Sequence, residues 1–195
     1  MSNQDQIVWV PDPEVAAATN VARLMSKAGC SDIGQMRSWA VAEPAKFWDL
    51  VVEDLDIAFA APYTRTFDDS RGIEWTTWFD DGRINLTTAC VDRWRDDPEM
   101  ASVTALIAEG EDGNVEELTF SELAGRIDEL AGALRADGVK PGDAVAVFMP
   151  MVAEAVIAAY AIAKIGGLYL PIFSGFAAGA IASRVQDAEA SHILT

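Results

Sequence analysis

The sequence predicts an α/β fold in which a helical, irregular N-terminal extension leads into the first strand–helix units of a mostly parallel sheet with crossover helices. Three observations predict it. All six tryptophans (Trp9, Trp39, Trp48, Trp75, Trp78 and Trp94) fall before residue 98, in a stretch without sustained periodicity. After it, short apolar or β-branched runs alternate with segments of helical spacing, the pattern of a parallel sheet. The third is the end of the sequence. A new strand starts on the final five residues (SHILT), so the domain is expected to be incomplete here and to continue in a longer protein. Residues 1–97 are therefore read as an extension and 98–195 as the beginning of a larger domain.

In the first part, residues 13–28 predict a helix. Pro13 suits a first turn, Val21, Leu24 and Met25 share a face, and Gly29 supplies a stop. Residues 38–54 predict a second helix, with Ser38 as N-cap and Phe47, Leu50 and Val51 on one side. Residues 62–72, rich in Asp, Thr and Arg, read as a connecting loop. Trp75 and Trp78 are expected to anchor this irregular region onto the main sheet.

In the second part, residues 102–108 predict a strand and 115–119 its hairpin partner across a turn at Asp112 and Gly113. Thr119 or Ser121 caps a helix reaching Asp137, with Leu123, Ile127, Leu130 and Leu134 as its apolar stripe and Gly138 as its stop. The turn at Pro141, Gly142 and Asp143 precedes a continuous apolar run, 144–148, as expected of a strand covered on both faces. A helix over 152–165, a second buried strand over 168–172 and a helix over 177–188 follow.

Composition limits the function. About half of the 195 residues are hydrophobic, which supports a folded core. A net charge of -17 repels phosphate backbones and anionic lipid, so nucleic acid and membranes are excluded as expected partners. The start of the chain, 1–11, lacks the basic and apolar regions of a signal peptide, and the apolar stretch 144–171 is interrupted by Pro150, Glu154, Lys164 and two glycines. A cytoplasmic location is expected. Cys30, Cys90 and the lone His192 do not have metal-ligand spacing, so no metal site is expected; the cysteines read as buried thiols and His192 as structural. The acidic pairs Glu53–Asp54, Asp68–Asp69 and Asp96–Asp97 read as solvated charges.

No strong catalytic motif is present. The clearest placement is 171–177 (PIFSGFA), which leaves the carboxyl end of a predicted parallel strand and enters a helix. Ser174 and Gly175 permit close approach of a ligand to the backbone, and Phe173 or Phe176 offers an apolar face. On physical grounds the same residues also read as an ordinary strand-to-helix turn with core phenylalanines.

Several blocks in order resemble the acyl-adenylate-forming superfamily, most closely acetyl-CoA synthetases: 78–93 (WFDDGRINLTTACVDR), 118–123 (LTFSEL), 138–143 (GVKPGD), 148–151 (FMPM) with Glu154, 163–167 (AKIGG), and 173–176 (FSGF) followed by Ile181, Arg184 and Asp187. The resemblance covers about residues 47–195. It implies a full-length enzyme that activates a small carboxylic acid with Mg-ATP to an acyl-adenylate and passes the acyl group to coenzyme A. It also implies that Phe173, Ser174 and Gly175 lie against the adenine of coenzyme A. The phosphate loop, the acid and adenine pockets, a C-terminal lysine and the arginines that complete the coenzyme A site would follow Thr195. No catalytic residue is therefore expected here, this chain alone is expected to be inactive, and ATP, Mg2+ and coenzyme A belong to the longer protein. Ser174 stands where the family has glycine, and 168–171 (LYLP) replaces the usual "VHSV", which leaves acetate, propionate, acetoacetate or another small acid open. The alternative is a free-standing binding or interaction module that keeps only the scaffold. The partners expected are the remainder of the same chain and, through uncovered apolar strands, other copies of it.

Overall fold

The computed structural model describes residues 9–111 and 113–195. Most of the segment read for a signal peptide, and Asp112 of the hairpin turn, lie outside the described residues. The chain forms two compact units, Met1–Arg83 and Ile84–Thr195.

In the first unit the predicted helix over 13–28 is two helices, α1 (Pro13–Ala17) and α2 (Asn20–Ala28). Thr19 separates them: its hydroxyl donates to the Ala16 carbonyl at 2.8 Å and accepts from the Ala22 N–H at 3.2 Å, ending one helix and capping the next. Gly29 stops α2 as expected, in the left-handed region at φ 69°. The predicted helix over 38–54 is also two, α3 (Ile33–Ala42) and α4 (Pro44–Asp54). Ser38 lies inside α3 and caps nothing. The cap is Asp32, whose carboxylate accepts from the Gln35 N–H at 2.8 Å, and Pro44 opens α4 because its missing N–H costs nothing there.

The predicted loop over 62–72 contains a strand. Strand β1 (Arg65–Asp68) pairs antiparallel with β2 (Thr77–Asp80), placing Phe67 opposite Trp78. Charge hid this hairpin from hydrophobic patterning: Arg65 bridges Asp80 at 2.7 Å and Asp68 at 2.6 Å. Trp78 meets Phe67 and the α4 residue Trp48, with ring centroids 4.7 and 6.1 Å away, so its ring anchors the hairpin within this unit. Trp75 stays exposed. Helices α2 and α4 are joined by Asp54, which accepts two bonds from Arg23 (2.9 and 2.7 Å) and lies 2.9 Å from the Lys27 ammonium. Its side chain is only 2% exposed, so Asp54 is not the solvated charge predicted. The bonds from Arg23, then Lys27, hold its carboxyl well below the usual range.

The second unit opens with a π-helical turn (Thr88–Asp92) continuing into α5 (Arg93–Arg95). Strands β3 (Thr104–Glu109) and β4 (Val115–Thr119) form the expected antiparallel hairpin, as a sheet of its own. Thr119 and Glu122 complete a capping box for α6 (Phe120–Ala136), which buries Leu123, Ile127 and Leu134. Then come β5 (Ala144–Val147), α7 (Ala153–Lys164), β6 (Leu168–Pro171), α8 (Ala178–Asp187) and β7 (His192–Leu194). The three strands form a parallel sheet in the order β6-β5-β7. Every β5 side chain is buried, as predicted.

Strand β6, predicted to be buried, is not: it is an edge strand, with Leu168 60% and Tyr169 44% exposed. Helix α8 buries no residue, and Ile193 of β7 is 45% exposed. The core runs instead between α6, α7, β5 and Val91.

Polar groups fasten the start of this unit to α7. The Thr87 hydroxyl, fully buried, donates to the Tyr160 carbonyl at 2.7 Å. The Asn85 amide donates to the Ala163 and Lys164 carbonyls at 3.1 and 3.2 Å. The last carbonyls of a helix have no partner within it, so Asn85 acts as a cap supplied from outside. The Lys164 ammonium pairs with Asp92 at 2.9 Å and with Asp128. Burial works against its charge, but the two carboxylates outweigh it and raise the Lys164 pKa.

Two outcomes test these assignments. Thr119→Ala removes the capping box and should lower the stability of the second unit by about 1 kcal/mol in urea denaturation. Asp54 has a depressed folded-state pKa, so its stabilisation is complete above the unfolded value of about 3.9 and is lost as pH falls through the lower folded value. Asp54→Asn should weaken the first unit at neutral pH and flatten the acid limb of its thermal stability below about pH 4. An unchanged acid limb would assign that limb to other carboxylates.

Candidate ligand-binding site

The turn after β6 begins on a fixed point. Ile172 is buried, and its N–H donates to the Val147 carbonyl at 2.9 Å, extending the β5–β6 pairing by one rung. The chain then leaves the sheet. The Phe176 N–H closes the turn on the Phe173 carbonyl at 3.0 Å, and α8 starts two residues later. Between this turn and the end of β5 lies a cleft of about 440 Å³, walled by Val147, Met149, Tyr169, Phe173, Ser174 and Phe176 among others, with Arg184 the one charged residue of its lining. The cleft opens at the carboxyl ends of parallel strands. From β5 the chain crosses to β6 on one side, then returns past β5 to β7 on the other. Such a reversal is where open α/β sheets form ligand crevices.

Phe173 is 68% exposed, so it is no core phenylalanine. A single exposed ring is ordinary; this one borders a cleft and is held in place. It meets Phe176 edge-on at 5.7 Å and 77°, and the Arg184 guanidinium carbon stands 4.2 Å from the centre of the Phe176 ring. Gly175 supplies space rather than backbone freedom, since it is not among the residues with positive φ. A Cβ there would fall 2.7 Å from Cε1 of Phe173.

Of the three residues singled out in the sequence, Phe173 and Ser174 line this cleft, and Gly175 lies beneath the Phe173 ring without lining it. Met149 and Tyr169 were missed as lining residues, and their only sequence signal is their position at the ends of β5 and β6. His192 stands apart in role: its ring lies 3.1 Å from Asp137 and 2.7 Å from the Ser191 hydroxyl. Asp68 pairs with Arg65 and is 20% exposed, whereas Asp96 pairs with Arg95 at the surface and stays 66% exposed, as a solvated charge. Cys30 and Cys90 are half-buried free thiols. Among the described residues no group of His, Cys, Asp or Glu is placed to hold a metal ion, and no helix is long and apolar enough to cross a membrane.

A family model described as AMP-binding enzyme matches residues 91–195, more than half of the chain. The chain belongs to the AMP-binding enzyme family. A second model, the acetyl-coenzyme A synthetase N-terminus, matches residues 33–90 immediately before it. Among relatives, acetyl-coenzyme A synthetase of Chromobacterium violaceum is 41% identical over 149 residues, which is 76% of this chain and 22% of that protein. Propionate--CoA ligase of Salmonella typhimurium is 37% identical, over 80% of this chain and 24% of its own length. The structure of acetoacetyl-CoA synthetase from Streptomyces lividans superposes with a TM-score of 0.87 at 28% identity, covering 95% of this chain and 29% of that one. The chain therefore spans about a quarter of the length of the AMP-binding enzymes it matches, in a region similar to the N-terminal part of acetyl-CoA synthetase-like ligases.

Because Gly175 has an ordinary φ, Gly175→Ala should fold normally, with a melting midpoint within about 2 °C of the parent. The exposed Phe173 ring should yield to the new methyl. A crystal structure or aromatic NMR spectrum showing an unmoved Phe173 ring, or a large loss of stability, would contradict this packing.

Proposed function

We propose that this chain is the N-terminal part of a cytoplasmic, AMP-forming acid–CoA ligase. In this reading the complete enzyme activates a short-chain carboxylic acid with ATP to an acyl-adenylate and transfers the acyl group to coenzyme A. The supporting observation is the sequence of two family matches, synthetase N-terminus then AMP-binding enzyme, running without a gap from residue 33 to 195. The names of the relatives, which cover acetate, propionate and acetoacetate, leave the acid open.

The residues present do not fit ATP and Mg2+. The sequence has no glycine-rich loop to cradle phosphates, and adenylation needs backbone donors and a cation on the leaving pyrophosphate. The features that suit the base of coenzyme A, which brings the accepting thiol, are the exposed Phe173 ring and the missing side chain at Gly175, which leaves room for that ring to lie against the turn. Residues 98–195 accordingly act as the beginning of the adenylate-forming domain, residues 1–97 as its extension, and the Phe173–Ser174–Gly175 turn as the adenine wall. The exposed residues of β6, α8 and β7 are the surface that the rest of the domain covers, and without it copies of the chain associate.

The purified 195-residue chain should show no acid-dependent ATP–pyrophosphate exchange above background; measurable exchange would place a catalytic centre within these residues. Light scattering should find it self-associated at high concentration, and a compact monomer that binds no dye for apolar surfaces would count against the uncovered face. In the complete enzyme, Gly175→Leu should weaken thioester formation through the apparent affinity for coenzyme A while pyrophosphate exchange stays near that of the parent. If a folded variant loses both half-reactions together, or neither, the turn is only structural. A reading frame that stops at Thr195 would favour a free-standing binding module.

A further inference from the structure

We infer that Arg184 is a positioning residue: it fixes the plane of the Phe173 ring through Phe176 and so shapes the wall against which a flat base packs. The role of the wall rests on the coenzyme A reading above; the orientation of the ring does not.

The contacts form a short chain. Arg184 lies in α8, and its Nη1–H donates to the Ala180 carbonyl one turn earlier at 3.0 Å, which ties the guanidinium to its own helix. The planar head then covers the Phe176 ring at 4.2 Å. That distance suits attraction between a cation and the negative face of a ring. Phe176 in turn meets Phe173 with the two ring planes 77° apart. Phe173 also passes so close to Gly175 that no Cβ fits without displacing it. The Phe173 ring is thus in contact with both Phe176 and a bare α-carbon while most of its surface stays exposed. An exposed ring has few neighbours to orient it, so these two contacts set its plane, and Arg184 holds Phe176 in one of them. Lysine would keep the charge but not the flat face or the forked donors.

The test uses phenylalanine-labelled NMR of the 195-residue chain, diluted below the concentration at which it associates. Arg184→Met keeps the aliphatic stem and removes the guanidinium; Arg184→Lys keeps the charge. Without ligand, Arg184→Met should shift the ring signals of both Phe176 and Phe173 while the amide signals of β5 and α7 stay in place, and Arg184→Lys should restore them only in part. A Phe176 shift with Phe173 unmoved would overturn the inference, as would loss of the β5 and α7 signals, which would make Arg184 a general stabiliser. Coenzyme A and dephospho-coenzyme A are then titrated into the complete enzyme and its Arg184→Met variant. Loss of an oriented ring should weaken both equally, by about two- to fivefold. Weakening of coenzyme A alone would mean that Arg184 contacts the 3′-phosphate directly and would overturn positioning as its role in binding. If Phe173→Ala in the complete enzyme leaves the affinity for both compounds unchanged, the adenine-wall reading falls, and the ligand-free comparison by itself decides whether Arg184 orients the ring.

Discussion

The second unit is organised by the bonding of β5 on both of its edges. Its four residues, Ala144 to Val147, pair with β6 on one side and β7 on the other, and none is more than 7% exposed. A strand so placed has no polar face, which is why its sequence runs AVAV without alternation. It also dictates where the cleft lies. With neighbours on both sides reached in opposite directions, right-handed crossovers put α7 and α8 on opposite faces, and the chain segments leaving β5 and β6 diverge at the carboxyl end. The cleft is the gap left by that divergence, and the Phe173 turn is one of its rims.

Polar contacts play different parts in the two units. In the first, Asp54 clamps α2 to α4 and Asp49 accepts bonds from both Tyr63 and Thr66, so carboxylates hold α4 to α2 and to the residues around β1. In the second, the centre is apolar, and the ion pairs of Lys164 and Arg95 with Asp92 and Asp128 gather at its margin. A strongly acidic chain has few cations, and several of these are committed to internal pairs.

The sequence was most legible where local signals and burial agreed. The capping box at Thr119, the stripe through Leu123 and Ile127, and the apolar run of β5 each carry their structure in consecutive residues. The first unit was harder, although two of its signals were present: Asp32 with Gln35 three positions on, and Pro44 at a helix start. Both were overlooked because the apolar spacing of residues 38–54 suggested one continuous helix. The β1–β2 hairpin is held by charge pairs and large rings, which periodicity does not register. Uncovered apolar strands were expected, but not that β6 would be one of them. LYLP has the composition of an inner strand, and whether a strand is inner depends on what lies beside it. At the cleft, sequence placed the turn at a strand end, but only coordinates reveal that Phe173 faces outward and that Gly175 is needed for room.

The side chains of Asn85 and Thr87 bear on how the chain can be divided. The AMP-binding family match starts at residue 91, yet three side-chain hydrogen bonds to carbonyls in the last two turns of α7 come from residues 85 and 87. A polypeptide begun at 91 would keep the whole AMP-binding match and lose three hydrogen bonds to the helix that leads into β6 and the cleft. One begun at 84 would retain them. The start of the AMP-binding match therefore falls inside a structural unit that begins at residue 84 and whose first residues bond to α7.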